Sequence, residues 1–316
     1  MQPFTLPLPD NATVAGIHSI PSPLSLKSTS SPASSRPLIV ALHGGTYDSS
    51  YFNGTPETSA STTSTSLGIP FVAIDRPCYG GTTSFLPLPE GSDFNEESGR
   101  WLHEYILPAL WARFGEGCNA LVLLCHSLGG MSGIVAASLH ARDESPKYPL
   151  GGIIVSGLGD KTPVMSEAEA EAARSAYVKV GPDYLLLPVG IKDRIMFRAG
   201  TCDGDVLAQS ERLNAATPEA EIRDFRGSWM ETWKEKWAEH VVVPVIFSLV
   251  ERDPFFVATR EEVGVCLRAF MKSVRVDGGL MNGAPHCMEL SYWSRGWYVR
   301  CFGFAMECSV GIAVGK

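Results

Sequence analysis

Five short apolar runs, each followed by a loop and a stretch of helical spacing, constrain this chain more than any other feature in it. They read PLIVALHGG (37–45), IPFVAIDRP (69–77), ALVLLCHS (120–127), GGIIVSGLG (151–159) and VVVPVIFSLV (241–250). Runs that are apolar on successive residues, at strand length, fit strands covered on both faces, as parallel sheets are. Residues 94–114 carry apolar or aromatic side chains at 101, 102, 105, 106 and 110, the stripe of a helix lying on a sheet. Residues 259–271 repeat that pattern, with Thr259 and Glu262 placed as a capping box. Strand and helix patterns alternating in this way predict a parallel α/β sheet with helices on both faces.

The alternation fails between about Asp160 and Glu239. That region is charged, holds helix-like segments at 166–180 and 228–240, and has a proline- and glycine-bounded middle at 184–197. It reads as a helical cap (160–239) inserted into a core made of residues 1–159 and 240–316. Two Ser/Thr/Pro-rich stretches, 21–37 and 55–66, lack hydrophobic periodicity; they are expected to be a loop and a weakly structured or helical surface connection.

With 316 residues the chain has ample volume for a buried core. A formal charge of −8 argues against a nucleic-acid or anionic-membrane partner and favours a small, uncharged or mixed substrate. The first 26 residues contain no Lys or Arg, so the charged start of a secretory signal is missing, and no apolar run reaches membrane-spanning length. Eight cysteines (78, 118, 125, 202, 266, 287, 301 and 308) form no CxxC pair and no zinc-spaced cluster with histidines. They read as reduced thiols of a cytoplasmic protein without metal or cofactor. The sequons at Asn11 and Asn53 are read as chance. GEGCNA (115–120) resembles a dinucleotide loop but precedes a strand, whereas the real motif follows one.

The chemistry begins at Ser127, in ALVLLCHSLGGMSG (120–133). A serine hydroxyl needs a base to take its proton and a sharp strand-to-helix turn to hold it in the open. LVLLC supplies the strand, Gly129 and Gly130 the small residues, and SGIVAASLHAR the helix, although Cys125 stands where GxSxG has its first glycine. In ALHGGTYDSSYF (41–52), glycines let the backbone approach a substrate, so the N–H of Gly45, or of Thr46 beside it, is one oxyanion donor; the N–H of Leu128 is the other. The orienting carboxylate is Asp253, directly after a buried strand, with Asp160 as the second choice and Glu251 as a neighbour of the same chemistry. His286, in GLMNGAPHCMELSYW (279–293), is the histidine downstream of both other members, which gives the chain order Ser127, Asp253, His286. His126 is adjacent to Ser127 yet points to the opposite face, so it packs beneath the turn, as does His43 near the oxyanion loop.

Together, HGG (43–45), DRPCYGGT (75–82), CHSLGG (125–130), ERDPFF (251–256) and GAPH (283–286) resemble the motifs of the capped α/β-hydrolase superfamily. The resemblance implies a mostly parallel eight-stranded sheet flanked by helices, a lid inserted after the sixth strand, and a Ser-His-Asp mechanism. Cys125 and Cys78 each stand where that family usually has glycine. Trp229, Trp233 and Trp237 form one stripe at i, i+4, i+8, which favours packing of the cap over substrate contact by about two to one; Trp229, Trp233 and Tyr47 are nonetheless candidates for the pocket. The resulting expectation is hydrolysis of an ester, thioester or lactone of a small apolar or aromatic compound, such as a specialised metabolite. Its alternatives are lyase, acyl-transfer or cyclisation chemistry at the same site, and a ligand receptor or scaffold on the same fold.

Overall fold

The computed structural model describes residues 1–23 and 35–315. Most of the Ser/Pro-rich stretch at 21–37 therefore lies outside the described residues. Eight strands form the main sheet: β1 (Gln2–Pro7), β2 (Thr13–Ser19), β3 (Pro37–Leu42), β4 (Phe71–Ile74), β5 (Ala120–His126), β6 (Leu150–Ser156), β10 (Val245–Arg252) and β11 (Val276–Pro285). Their spatial order is β1-β2-β4-β3-β5-β6-β10-β11. β2 runs antiparallel to both β1 and β4, and every pairing beyond β4 is parallel. The N-terminal strands were not legible in the sequence because β1 is a partly exposed edge carrying prolines, which weakens the strand pattern.

Every residue of β3, β5 and β6 is buried. Alternate side chains then divide between two apolar layers, as the pleat requires. Leu38, Val40, Leu42, Leu121 and Leu123 pack on one face with Leu102, Ile106 and Leu110 of the helical segment 94–114; Ile39, Ala41, Val122 and Leu124 face Phe302, Phe304 and Ala305 of the C-terminal helix Ser294–Ala313. The 94–114 segment carries a π turn at Leu102–Ile106, where the Leu107 N–H reaches back to the Leu102 carbonyl. Pro108 follows directly and has no N–H to donate, so the wider turn falls where regular bonding would fail anyway. The 55–66 stretch closes into a short helix, Ala60–Leu67, capped by the Ser59 hydroxyl. Among the described residues no helix is long and apolar enough to cross a membrane.

Between β6 and β10 the chain leaves the sheet, and this segment is less helical than expected. It contains the helices Glu167–Ser175, Val189–Met196, Glu219–Asp224 and Met230–Lys236, but also a three-stranded antiparallel sheet of β7 (Val178–Val180), β8 (Tyr184–Leu186) and β9 (Thr217–Pro218). Strands of two or three residues are too short to show a period of two. The tryptophan stripe packs inward: Trp229 stacks on Trp233 and Trp233 on Phe247 of β10. A second attachment is a fully buried ion pair, Arg76 Nη1 to Glu221 Oε1 at 2.5 Å, to which the Tyr79 hydroxyl also donates. Removing either partner would leave an uncompensated buried charge, a cost of about 3–5 kcal/mol.

Candidate active site

The strand-to-helix turn after β5 places Ser127 at the sheet's carboxyl end. Its φ of 51° and ψ of −126° form a strained conformation, one costing about 1–3 kcal/mol. The Ser127 N–H donates to the Ser156 carbonyl of β6 at 2.7 Å, and the helix Leu128–Arg142 begins at the next residue. Two glycines make the turn possible. A Cβ on Gly129 would lie 2.5 Å from the His43 carbonyl oxygen, and one on Gly44 would lie 2.9 Å from the Ser127 Cβ.

Cys125 fits this turn because the helix behind it yields. A Cβ on Gly133 would sit 2.5 Å from the Cys125 sulfur, so the space that glycine usually leaves on the strand is left on the helix instead. Gly133→Ala alone should therefore overpack the turn and cost about 1–3 kcal/mol. Adding Cys125→Gly should recover most of that loss. Thermal denaturation of the two single variants and the double variant measures the coupling; additive effects would contradict the complementary fit. Burial pushes the Cys125 thiol far above its ordinary range, which leaves it a poor nucleophile.

Parallel pairing of β10 with β11 brings Arg252 opposite Pro285. The next residues, Asp253 and His286, thus emerge side by side. His286 Nδ1–H donates to Asp253 Oδ2 at 2.8 Å, which leaves Nε2 to accept from Ser127 Oγ at 3.0 Å. Asp253 Oδ1 accepts from the N–H groups of Phe255 at 2.8 Å and Phe256 at 3.3 Å, fixing the carboxylate plane. The other carboxylates are engaged elsewhere. Glu251 accepts from the Gly283 N–H at 2.6 Å, and Asp160 accepts from Trp233 Nε1 at 2.9 Å and pairs with Lys234 at 3.1 Å.

The HGG loop, residues 43–45, follows β3. His43 Nε2 accepts from the Arg76 N–H at 3.1 Å, so its Nδ1–H donates to the Gly44 carbonyl at 2.7 Å and pins the loop. The Thr46 N–H is bound to the Thr217 hydroxyl at 2.8 Å, so it is not free to serve a ligand. Among the described residues no acceptor holds the Gly45 N–H. Leu128 opens its helix, where an N–H has no partner within the helix.

These groups border a narrow cleft of about 70 Å³. Its walls are Tyr177, Met196, Ile222, Phe225, Phe255 and Phe256, with Arg226 at an exposed edge. Tyr47, Trp229 and Trp233, expected as pocket candidates, are buried outside this lining. Tyr47 packs against Tyr51 and takes the Cys287 thiol on its hydroxyl, while the two tryptophans serve the core beside β10. Helical periodicity gives a face but not what the face meets, which is why the stripe carried both readings.

His126 stacks on Tyr51, with Nδ1 3.2 Å from Ser156 Oγ, and does not bond Ser127. Beside it lies a group the sequence reading missed, Glu289. This fully buried carboxyl accepts from Tyr51 at 2.7 Å, Ser156 at 2.8 Å and Trp297 at 2.9 Å, with His126 Nδ1 at 3.3 Å; burial raises its pKa and depresses that of His126. The available signal was an acidic residue inside the apolar run after His286.

A mostly parallel α/β sheet with a hydrogen-bonded serine, histidine and aspartate at its strand ends is the architecture of α/β hydrolases. A model described as the alpha/beta hydrolase family matches residues 39–295, and the chain belongs to that family. Among solved structures, the chain is similar to a monoacylglycerol lipase from Paleococcus ferrophilus, at 14% identity and TM-score 0.56, covering 98% of this chain and 100% of that one. It is also similar to a thermophilic esterase from Thermogutta terrifontis, at 14% identity and TM-score 0.57, with the same coverage. A third similarity is to the N-acyl homoserine lactonase AidH, at 14% identity and TM-score 0.56, covering 98% of each chain. At these identities the likeness speaks for the fold. No curated protein sequence matches the chain significantly.

Proposed function

We propose that the protein is a serine hydrolase of small apolar carboxylic esters, thioesters or lactones, acting through an acyl-enzyme. The observation that carries this reading is the continuous bonding from Asp253 through His286 to Ser127 at the mouth of an apolar cleft. In this mechanism His286 takes the Ser127 proton as Oγ attacks the carbonyl, and Asp253 stabilises the resulting imidazolium. The N–H groups of Gly45 and Leu128 receive the oxyanion. His286 then protonates the leaving group and activates the water that releases the acid. Residues 160–239 form the cap, which supplies Tyr177, Met196, Ile222, Phe225 and Arg226 to the cleft, while residues 1–159 and 240–316 form the core. The eight free thiols are in keeping with a reducing, cytoplasmic setting.

The cleft is well below the several hundred Å³ of a typical ligand pocket, which favours a short acyl group. Nitrophenyl esters from acetyl to octanoyl should show kcat/KM falling by about tenfold or more from the short to the long end, one interaction's worth of lost fit. Hydrolysis in water enriched in heavy oxygen should place one labelled atom in the released acid. Product free of label, formed at the same rate, would replace hydrolysis with transfer, lyase or cyclisation chemistry at this site.

A further inference from the structure

Thr46 has an unusual set of partners. It follows Gly45, the proposed oxyanion donor, and adopts a left-handed backbone with φ of 64° that a non-glycine residue holds only under constraint. Every hydrogen bond to its own N–H and carbonyl comes from the segment between β6 and β10. Thr217 Oγ1 accepts its N–H at 2.8 Å; its carbonyl accepts from the Ala215 N–H at 3.0 Å and from Lys192 Nζ at 3.3 Å. Lys192 is 1% exposed, an uncommon place for an ammonium group, and its head is enclosed. It also donates to the Leu213 carbonyl at 2.9 Å and lies 4.0 Å above the centre of the Tyr47 ring. Burial brings its pKa down to about 8, a mark of how fully the site desolvates it.

A buried lysine with no carboxylate bonded to it is costly, and simple packing of a cap would be served better by leucine or methionine. What the lysine provides here is a donor aimed at one carbonyl of the oxyanion loop. We propose that Lys192 and Thr217 are positioning residues that clamp Thr46 from opposite sides and thereby hold the Gly45 N–H in the orientation an oxyanion needs. The cap then does more than cover the substrate: it completes the oxyanion hole. Neither residue lines the cleft; their hydrogen bonds reach it through Thr46, and the Thr217 methyl also packs beside Gly45, where an added Cβ would lie 3.7 Å from it. The inference rests on the hydrolase reading given above and extends it from the core to the cap.

Full-length Lys192→Met, Thr217→Val and Thr217→Ser proteins test it. Lys192→Met and Thr217→Val should each lower kcat by about 10- to 100-fold with KM within about threefold, because misplacing a transition-state donor affects the chemical step. They should weaken a trifluoromethyl ketone inhibitor, which forms a tetrahedral oxyanion, by a similar factor. Thr217→Ser keeps the hydroxyl but loses a methyl group, and should retain activity; Thr217→Val keeps the shape and should not. Lys192→Met is expected to fold with an unchanged or higher Tm, which separates positioning from collapse. Unchanged kcat in folded Lys192→Met or Thr217→Val, or a serine variant no better than the valine one, would overturn the clamp while leaving the hydrolase intact. Failure of the wild-type protein to react with a fluorophosphonate or to cleave any ester would overturn the hydrolase reading, and the clamp with it.

Discussion

Replacing Ser127 by alanine should lower kcat on any cleaved ester by about 10⁵- to 10⁶-fold and abolish labelling by a fluorophosphonate. The side chain occupies a strained turn 3.0 Å from the histidine and 7% exposed, with a route to the cleft. His286→Ala should cost nearly as much, and the double variant little more than either single one, since serine and histidine act as a unit and their losses do not add. Rates followed against an uncatalysed control, with folding checked by circular dichroism, decide the matter. Retained turnover in Ser127→Ala would reopen the choice of nucleophile. Cys125 is a weak candidate even then: it is wholly buried, its sulfur packs against Gly133, and burial keeps it protonated.

How much of this was legible beforehand depended on the kind of signal each part carries. The parallel core announced itself because β3, β5 and β6 are buried on both faces and so are apolar at every position. The proposed order of serine, acid and histidine could be read because Ser127 and Asp253 each follow a recognisable strand end and His286 lies downstream of both. β11 was only half visible: VDGGLMNGAP is glycine-rich, yet pairing with β10 carries it to Pro285, directly before the histidine. Thr46 could stand beside Gly45 as an oxyanion donor until its bond to Thr217 appeared, 171 positions along the chain. Glu289, Lys192 and the Arg76–Glu221 pair escaped for the same reason. Each is a polar side chain whose role is set by partners distant in sequence, and local patterns say nothing about such partners.

The acid was the least settled member of the site, because a carboxylate after a strand is common and three of them competed. Geometry now separates them in a way that makes a sharp expectation for asparagine. In Asp253, one oxygen accepts from the amides of Phe255 and Phe256, and the other from His286. An asparagine at 253 can satisfy the two amides only with its carbonyl oxygen, which turns its NH₂ toward His286 Nδ1. That nitrogen must then become the acceptor, the proton moves to Nε2, and the base facing Ser127 is lost. Asp253→Asn should therefore lower kcat by about 10⁴-fold while leaving the site's shape intact. Asp160→Asn makes the contrast: an amide oxygen still accepts from Trp233, the pair with the partly exposed Lys234 is worth little, and kcat should stay within about twofold of wild type. Steady-state rates on one short ester measure both. If Asp253→Asn kept kcat within about tenfold of wild type, or Asp160→Asn lost as much as Asp253→Asn, the orienting role would belong elsewhere.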